Sequence, residues 1–580
     1  MECAILYITK LVDYDFAKEE LIKYIKNKFS KKGEDIVLSN IEALNMTEDQ
    51  IKEIKTLENK RIVENKDEDI IIKMFKREGN SLSVSDFENL KTGVFMPSTS
   101  KLEDKFTSEI VPKYIPSNCI NCGQCSFVCP HSVIREYLIN EEEYKTLPEN
   151  IKLRCIKAIG LNDYYFTIGI SIKNCTGCGL CVKTCPGIKG VKALTFNNLS
   201  SSIKDREQEI FEYLDKNITE KKLFNKLTVK GSQFIKPGFS YCGACAGCGE
   251  TSYIKILTQL FKDNLIIANA TGCSSIYGGS APSTPYSIPW ASSLFEDNAE
   301  YGYGMLLSNN LIRNRIKNIM LDNMDNENSD LFKEWLDNYD DYDKTLEVYN
   351  KLSDNIPSSL KELKDYIPTR NYWCIGGDGW AYDIGFSGID HVLASNDNIN
   401  ILVLDTEVYS NTGGQASKSS NIGSIASFAT SGKKTMKKDL AHIALTYPNV
   451  YVAQISLGAN MMDVIKTLKE ANDYNGPSIV IAYSPCISHG IKGGMSNSLD
   501  IQKLAVNSGY FLTFRRHPID GFKLFSKNVD FDKYDEFLNL QTRYSMLSKI
   551  NKTNSQELLK LNKENAIKKY DYYKSLEENK

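Results

Sequence analysis

The spacing of hydrophobic positions changes several times along this chain. Between about residues 229 and 515, short apolar runs alternate with helical stretches, and a polar residue or glycine follows each run. Short uninterrupted apolar runs are typical of parallel strands that helices cover on both faces. The pattern therefore predicts a parallel α/β domain over 229–515. Its predicted strands are 264–270, 372–376, 399–404, 450–456 and 478–483.

The segments on either side of this domain predict smaller units. Residues 1–45 place apolar residues at helical spacing and predict two helices. Residues 46–112 and 201–228 are interpreted as connectors, because their apolar periodicity is weak or their sequence is polar and helical. A cysteine-rich unit is predicted at 113–200. The charged, helical pattern of 516–580 is most simply a solvated C-terminal arm.

Composition argues against several classes of protein. The 580 residues are 42% hydrophobic and 25% charged, which is ordinary for a globular protein of several domains. A net charge of −3 gives no basic footprint for nucleic acid. No apolar run approaches the roughly 18 residues of a membrane span, and the N-terminus does not have the pattern of a signal peptide. We therefore predict a cytoplasmic protein that binds neither nucleic acid nor membrane.

Eight of the sixteen cysteines lie in two runs of identical spacing. Each run reads C-x2-C-x2-C-x3-C-P, the spacing of bacterial two-cluster ferredoxins, in which the fourth cysteine ligates the other cluster. Zinc sites favour two C-x-x-C pairs without the proline. The sequence therefore predicts an α+β ferredoxin-like unit with two 4Fe–4S clusters. The predicted ligand sets are Cys119, Cys122 and Cys125 with Cys185, and Cys175, Cys178 and Cys181 with Cys129.

Four further side chains of interest follow predicted strands of the α/β domain: Cys273, Asp378, Thr406 and Cys486. Ligands of open α/β sheets bind outside the carboxyl ends of strands. A third 4Fe–4S site can therefore be built from Cys273 and Cys486 with the C-x-x-C pair Cys245 and Cys248. The alternative is that Cys273 and Cys486 are ordinary buried cysteines.

The segments "GGDGW" (376–380) and "DTEVYSNTGG" (405–414) resemble a thiamine diphosphate motif. The motif needs oxygen ligands for Mg²⁺ on the diphosphate, and Asp378 supplies one carboxylate. Gly377 and Gly379 allow the backbone to approach the diphosphate closely. The usual paired asparagines are missing from the second segment, so the Thr406 hydroxyl and the Val408 carbonyl are the predicted further ligands. A lone Gly-Asp-Gly is usually only a turn.

These segments together resemble the pyruvate:ferredoxin (flavodoxin) oxidoreductase family, as do "GACAGCGET", "NATGCSSIYGGSAPSTPY" and "YSPCISHG". The resemblance implies oxidative decarboxylation of pyruvate to acetyl-coenzyme A on thiamine diphosphate and Mg²⁺. Three 4Fe–4S clusters would pass the electrons to ferredoxin or flavodoxin. It places Asn411 beside bound pyruvate, as the candidate catalytic residue. The implied thiamine diphosphate contacts are Glu250, Cys273, Gly377, Asp378, Gly379, Trp380, Thr406, Glu407, Val408, Tyr409, Ser410 and Asn411.

The resemblance covers only the C-terminal half of the single-chain enzymes. Residues 1–45 resemble the end of the coenzyme A-associated domain, and the half that carries the activating glutamate has no counterpart here. We therefore expect a separate chain to supply the missing half, in a homodimer of the assembled enzyme. Two alternatives remain: an oxidoreductase of another 2-oxo acid, and a non-catalytic electron-transfer module from a truncated gene.

Overall fold

A computed structural model describes residues 2–30, 33–47, 51, 66–325, 327–352, 356–550 and 552–578. The chain divides into two compact units, residues 1–66 and 67–580. In its described residues, the first unit contains three helices where the sequence predicted two: Glu2–Thr9, Tyr14–Phe29 and Glu34–Asn45. The Asp13 carboxylate caps the second helix at the Phe16 amide, which explains the break after the first.

The cysteine-rich region carries five short strands: β1 (Ile110–Tyr114), β2 (Ile134–Asn140), β3 (Ile156–Lys157), β4 (Tyr164–Ile170) and β5 (Leu194–Asn198). β1 pairs with β5, and β2, β4 and β3 form a second antiparallel sheet. Its helices are Gln124–Phe127, Glu141–Thr146, Glu149–Lys152, Leu180–Thr184, Leu199–Lys204 and Glu207–Asn217, and Lys66–Phe75 precedes them. This mixture confirms the predicted α+β character of the region.

The second half of the larger unit is built on one sheet. Its described residues form eight strands: β6 (Leu265–Ala270), β7 (Trp290–Ser293), β8 (Asn371–Gly377), β9 (Asn400–Asp405), β10 (Tyr451–Ile455), β11 (Ser478–Tyr483), β12 (Phe514–His517) and β13 (Gly521–Leu524). The order is β13-β12-β10-β11-β9-β8-β6-β7, and only β12 runs opposite to the other strands. The five predicted strands are confirmed, and the short strands β7, β12 and β13 at the two sides of the sheet were missed.

Helices cover both faces of this sheet, as the continuous apolar strands require. Their bounds are Val229–Ser232, Thr251–Phe261, Cys273–Gly279, Asn298–Asp322, Phe386–Leu393, Leu440–Ala444, Met461–Asp473 and Ser498–Asn507. Two further helices, Ser329–Asp337 and Tyr342–Leu352, pack with the end of Asn298–Asp322 in a separate apolar cluster. Among the described helices, none has the length and apolar character that a membrane crossing needs.

The sheet brings the four predicted strand ends to one edge. β11, β9, β8 and β6 are consecutive neighbours and all run parallel. Parallel neighbours end on the same side of a sheet, so the segments that follow these four strands emerge side by side. Those segments carry Cys486, Thr406, Asp378 and Cys273, in the order of the strands.

The C-terminal helices pack against the sheet, which differs from the solvated arm that we predicted. Their bounds are Tyr534–Asn539, Thr542–Ser545, Leu547–Ile550 and Lys552–Glu578. Within the last helix, Leu558, Ala566 and Tyr573 are buried. The Tyr573 ring stacks on Phe514 of β12, with ring centroids 4.7 Å apart. A few well-spaced apolar residues in a highly charged helix are therefore enough to dock it.

Tyr573→Ala is expected to destabilise the docked C-terminal helix by about 3–5 kcal/mol, the usual cost of removing a buried aromatic ring. The side chain is fully buried, and its hydroxyl donates to Asp439 at 3.0 Å. Limited proteolysis should show earlier cleavage in Lys552–Glu578. The neighbouring Tyr572→Ala is the matched control, because Tyr572 is 39% exposed. Equal resistance of both variants would contradict a docked helix.

Candidate cofactor and metal centres

The first predicted cysteine set lines a single cavity. Cys119, Cys122, Cys125 and Cys185 all face it, although Cys185 belongs to the second run. Gly123 starts the short helix after Cys122 with a left-handed φ of 78°, which a side chain rarely adopts. A Cβ there would lie 2.9 Å from the Lys230 backbone. The tight turn of the loop lets its three cysteines line the same cavity.

The second set lines a separate cavity of the same region. Its members are Cys175, Cys178 and Cys181 from the second run and Cys129 from the first. Burial raises the pKa of Cys175 to about 12 and that of Cys178 to about 11. The two runs thus exchange their fourth cysteine, and each cavity offers the four sulfurs that a 4Fe–4S cluster takes. The residues present fit two clusters.

A third group of cysteines lies at the edge of the large sheet. The Cys273 thiol has its pKa raised by burial, and also by nearby Glu250, Cys486 and Cys245. Gly249 lets the loop that carries Cys245 and Cys248 approach the Cys486 loop, because a Cβ there would lie 2.6 Å from the Pro485 backbone. The structure thus brings together Cys245, Cys273 and Cys486, with Cys248 three residues along the same loop.

None of these groups has the geometry of a single-ion site. In the residues that the structure describes, no three His, Cys, Asp or Glu side chains converge as they would around one metal ion. A cubane spreads its four thiolates over separate corners, and an Mg²⁺ site can use hydroxyl and carbonyl oxygens instead.

Next to Cys273, a cavity with about 540 Å³ of empty space opens at the strand ends. Most of the predicted thiamine diphosphate contacts line it: Glu250, Cys273, Gly377, Asp378, Gly379, Trp380, Thr406, Tyr409, Ser410 and Asn411. Thr271, Gly272, Phe295 and Thr412 also line it and were missed from the sequence, because they extend the predicted loops by one or two residues or lie beyond β7.

Oxygen atoms crowd around the Thr406 hydroxyl at the base of this cavity. Thr406 Oγ1 lies 3.2 Å from Asp378 Oδ1, 3.0 Å from the Val408 carbonyl oxygen and 2.7 Å from Ser410 Oγ. The single hydroxyl proton of Thr406 cannot serve both the Asp378 carboxylate and the Val408 carbonyl. Asp378 Oδ2 is buried without a hydrogen-bond partner, and burial raises the pKa of this carboxyl well above its usual range. A hard divalent cation would satisfy these oxygens, so the residues fit Mg²⁺.

Two family models match the chain in these regions. The C-terminal TPP-binding domain of thiamine pyrophosphate enzymes matches residues 360–482, and a 4Fe-4S dicluster domain matches residues 118–190. These matches include Asp378, Thr406 and both cysteine runs, whereas all four cysteines of the third group lie outside them.

Relatives match nearly the whole chain. The pyruvate-flavodoxin oxidoreductase of Enterobacter agglomerans is 40% identical over 99% of this chain and 52% of its own length. The pyruvate:ferredoxin oxidoreductase of Moorella thermoacetica is 39% identical over 100% of this chain and 52% of its own length. The chain is a homologue of these pyruvate oxidoreductases. It spans about half the length of the curated relatives that it matches.

A solved structure gives a weaker likeness. The 2-oxoglutarate:ferredoxin oxidoreductase of Magnetococcus marinus matches with a TM-score of 0.28 and 16% identity, over 42% of this chain and 65% of that one. The fold class rests instead on the sheet itself and on the two family models.

The Glu407 side chain does not line the cavity of this homologue, although the resemblance placed Glu407 among the thiamine diphosphate contacts. Glu407 has a left-handed φ of 60° and is 1% exposed. Its carboxylate points behind the loop, 2.7 Å from Arg543 and 2.9 Å from Lys437. Burial alone would raise the pKa of Glu407, but the two cations lower it to about 2. The Val408 side chain is also buried away from the cavity, while its carbonyl oxygen faces Thr406.

This buried network holds the loop that presents Thr406. The Tyr510 hydroxyl donates at 2.8 Å to Glu407 Oε2, the oxygen that also accepts from Arg543. Lys437 also donates to Asp405, at the end of β9, at 2.6 Å. His489 Nε2 donates to the Thr406 carbonyl at 2.7 Å. These partners could not be predicted from a local pattern, because Arg543 lies 136 positions from Glu407.

Proposed function

We propose that this chain is the thiamine diphosphate-binding and iron–sulfur part of a pyruvate:ferredoxin or flavodoxin oxidoreductase. In the overall reaction, pyruvate and coenzyme A give acetyl-coenzyme A, CO₂, a proton and two electrons. The electrons leave one at a time to ferredoxin or flavodoxin. The similarity to pyruvate oxidoreductases supports this reaction, and the matches to the two family models support the cofactors.

One observation carries the proposal: Cys273 belongs to two sites at once. It lines the proposed thiamine diphosphate cavity, and it lies within electrostatic reach of Cys245 and Cys486. A third 4Fe–4S cluster on these residues and Cys248 would therefore adjoin the cofactor. Two further clusters on the ferredoxin-type runs would continue the path for electrons. A non-catalytic electron carrier would not need a cofactor cavity beside its first cluster.

Different residues of the cavity would bind Mg²⁺ and the diphosphate. Asp378, the Thr406 hydroxyl and the Val408 carbonyl would hold Mg²⁺, and Gly377 and Gly379 would leave room for the diphosphate. When bound, thiamine diphosphate supplies an ylid that stabilises the carbanion left by loss of CO₂.

Three other residues shape the reacting end of the cavity. Glu250 accepts a hydrogen bond from the Tyr277 hydroxyl at 2.8 Å, and burial raises its pKa to about 7. Glu250 can therefore hold a proton on its carboxyl near neutral pH. The buried Trp380 ring excludes water from the wall of the cavity. The Asn411 amide, at the rim, would orient the 2-oxo acid.

We also propose that a separate chain supplies the half of the relatives that this chain does not match, and that the complete assembly is a cytoplasmic homodimer. The proposed domain bounds are 113–200 for the dicluster unit and 229–515 for the cofactor domain. Residues 1–45 and 516–580 would flank them, with connectors at 46–112 and 201–228.

Anaerobic purification from the native source tests this proposal. We expect about twelve iron atoms per chain, three four-iron clusters, and co-purification of a partner chain. The purified assembly should reduce a viologen dye with pyruvate and coenzyme A, and less well with 2-oxoglutarate or 2-oxobutyrate. A preference for another 2-oxo acid would identify that acid, instead of pyruvate, as the substrate. Eight iron atoms would remove the third cluster, and no reduction with any 2-oxo acid would contradict the enzymatic role.

A further inference from the structure

Lys255 is a buried cation inside an apolar helix. It lies in the middle of Thr251–Phe261, a helix whose side chains are all buried, and is itself 1% exposed. Lysine is almost never fully buried unless its charge is paired. The helix belongs to the cofactor domain, but the Lys255 ammonium group points to the dicluster region.

The Lys255 ammonium group lies against the short segment that connects Cys125, in the first ferredoxin-type cavity, to Cys129, in the second. Its Nζ donates to the Phe127 carbonyl at 2.7 Å, to the Ser126 carbonyl, and at 3.4 Å to the Cys129 carbonyl. The first two carbonyls belong to the residues that follow Cys125, which lines the first cavity. The third carbonyl belongs to Cys129, which lines the second cavity. The Cys129 sulfur has the stronger electrostatic interaction with Lys255, and Cys125 comes next.

The partners of Lys255 are carbonyl oxygens and sulfurs, so its charge is not cancelled by an ion pair. Glu136 is the one carboxyl among the groups that act electrostatically on Lys255, and its influence ranks after those of Cys129 and Cys125. The ammonium group therefore places its positive charge closer in effect to the cysteine sulfurs than to a carboxylate.

A merely structural role does not explain the charge. A lysine near a helix C-terminus can satisfy the last carbonyls, and Lys255 does so for Gln124–Phe127. Burying an ammonium ion costs several kcal/mol even after relaxation, however, and a neutral amide donor could serve the same carbonyls at lower cost. Charge near an iron–sulfur cluster is one of the factors that set its reduction potential.

We propose that Lys255 raises the reduction potentials of the two clusters of the dicluster unit, and most strongly that of the cluster held by Cys129, Cys175, Cys178 and Cys181. Each cluster takes up one electron and becomes more negative by one charge. A nearby ammonium ion stabilises the reduced state relative to the oxidised state. Lys255 is therefore a residue of the cofactor domain that adjusts electron flow in the neighbouring unit. This inference rests on the clusters of the proposed function.

Redox titrations followed by electron paramagnetic resonance test the role of Lys255, at pH 7, on the anaerobically purified protein with any partner chain. Lys255→Met removes the charge and the donors, and Lys255→Gln removes the charge but keeps an amide donor. Both variants should titrate at more negative potentials. Lys226→Met is the matched control, because Lys226 also caps a carbonyl near this helix, that of Leu260 at 3.1 Å. It should leave the midpoints unchanged.

The outcomes separate this inference from the proposed function. Unchanged midpoints in the Gln variant, with full iron content, would overturn the charge effect. A shift in the Met variant alone would also overturn it, since the hydrogen bonds would then be responsible. A wild-type protein without two dicluster signals would overturn the proposed function together with the inference.

Discussion

Asp378→Ala is expected to abolish retention of thiamine diphosphate and Mg²⁺ while leaving the iron content unchanged. Asp378 supplies the only carboxylate among the oxygens that surround Thr406 Oγ1 within the described cavity, and its Oδ2 has no other partner. Loss of groups that only support a metal ligand costs about 10–100-fold in affinity, so loss of a ligand should cost at least about 100-fold. Thiamine content after desalting, measured against added Mg²⁺, reports the loss.

Asp390→Ala provides the matched control for this prediction. Asp390 lies on the neighbouring helix Phe386–Leu393 and accepts a hydrogen bond from the Tyr447 hydroxyl at 2.9 Å. This variant should retain both the cofactor and the iron. If Asp378→Ala kept its thiamine diphosphate, the oxygen cluster would not be the magnesium site. If it lost iron as well, Asp378 would act through folding.

Arg543→Met is expected to destabilise the larger unit by about 3–5 kcal/mol, the cost of leaving one partner of a buried ion pair uncompensated. Arg543 and Glu407 are 2% and 1% exposed. Since Glu407 holds the left-handed turn between Thr406 and Val408, the variant should also bind thiamine diphosphate and Mg²⁺ more weakly. The urea concentration at which residues 516–580 become protease-sensitive measures the destabilisation.

Two comparisons make the Arg543 prediction specific. Arg206→Met removes an ion pair between the exposed side chains of Arg206 (67% exposed) and Glu209 (58% exposed), and should leave the free energy of unfolding almost unchanged because solvent screens such a pair. Adding Glu407→Met to Arg543→Met should restore part of the lost stability, because no buried charge then lacks its partner. A double variant that loses more unfolding free energy than the two single variants lose together would contradict this account of the network.

Most of the cofactor cavity could be predicted because its residues follow apolar strands. Cys273, Asp378 and Thr406 each come within three residues of a strand end, and parallel neighbours place such ends on one edge. The exchange of Cys129 and Cys185 could be expected from the ferredoxin spacing of the two runs. In that spacing three closely spaced thiolates bind one cluster, and the fourth cysteine of the run faces the other cluster.

The remaining features depend on contacts between distant segments. The orientation of the Glu407 side chain follows from its left-handed backbone and from Arg543, and neither leaves a local pattern. The C-terminal helix was misjudged because its many charged residues outnumber the few apolar ones that dock it. Lys255 looks like an ordinary helix residue in the sequence, and only the packing of two regions shows that it is buried.

The exchanged cysteines have a consequence for the history of the dicluster unit. A run that was moved by itself would lack the fourth sulfur of its own proposed cluster and would carry away the fourth sulfur of the other. During synthesis, neither cluster could be completed before the ribosome had passed Cys181, because one set ends at Cys181 and the other at Cys185. The two clusters would therefore be gained or lost together, and a deletion of either run should cost the protein both.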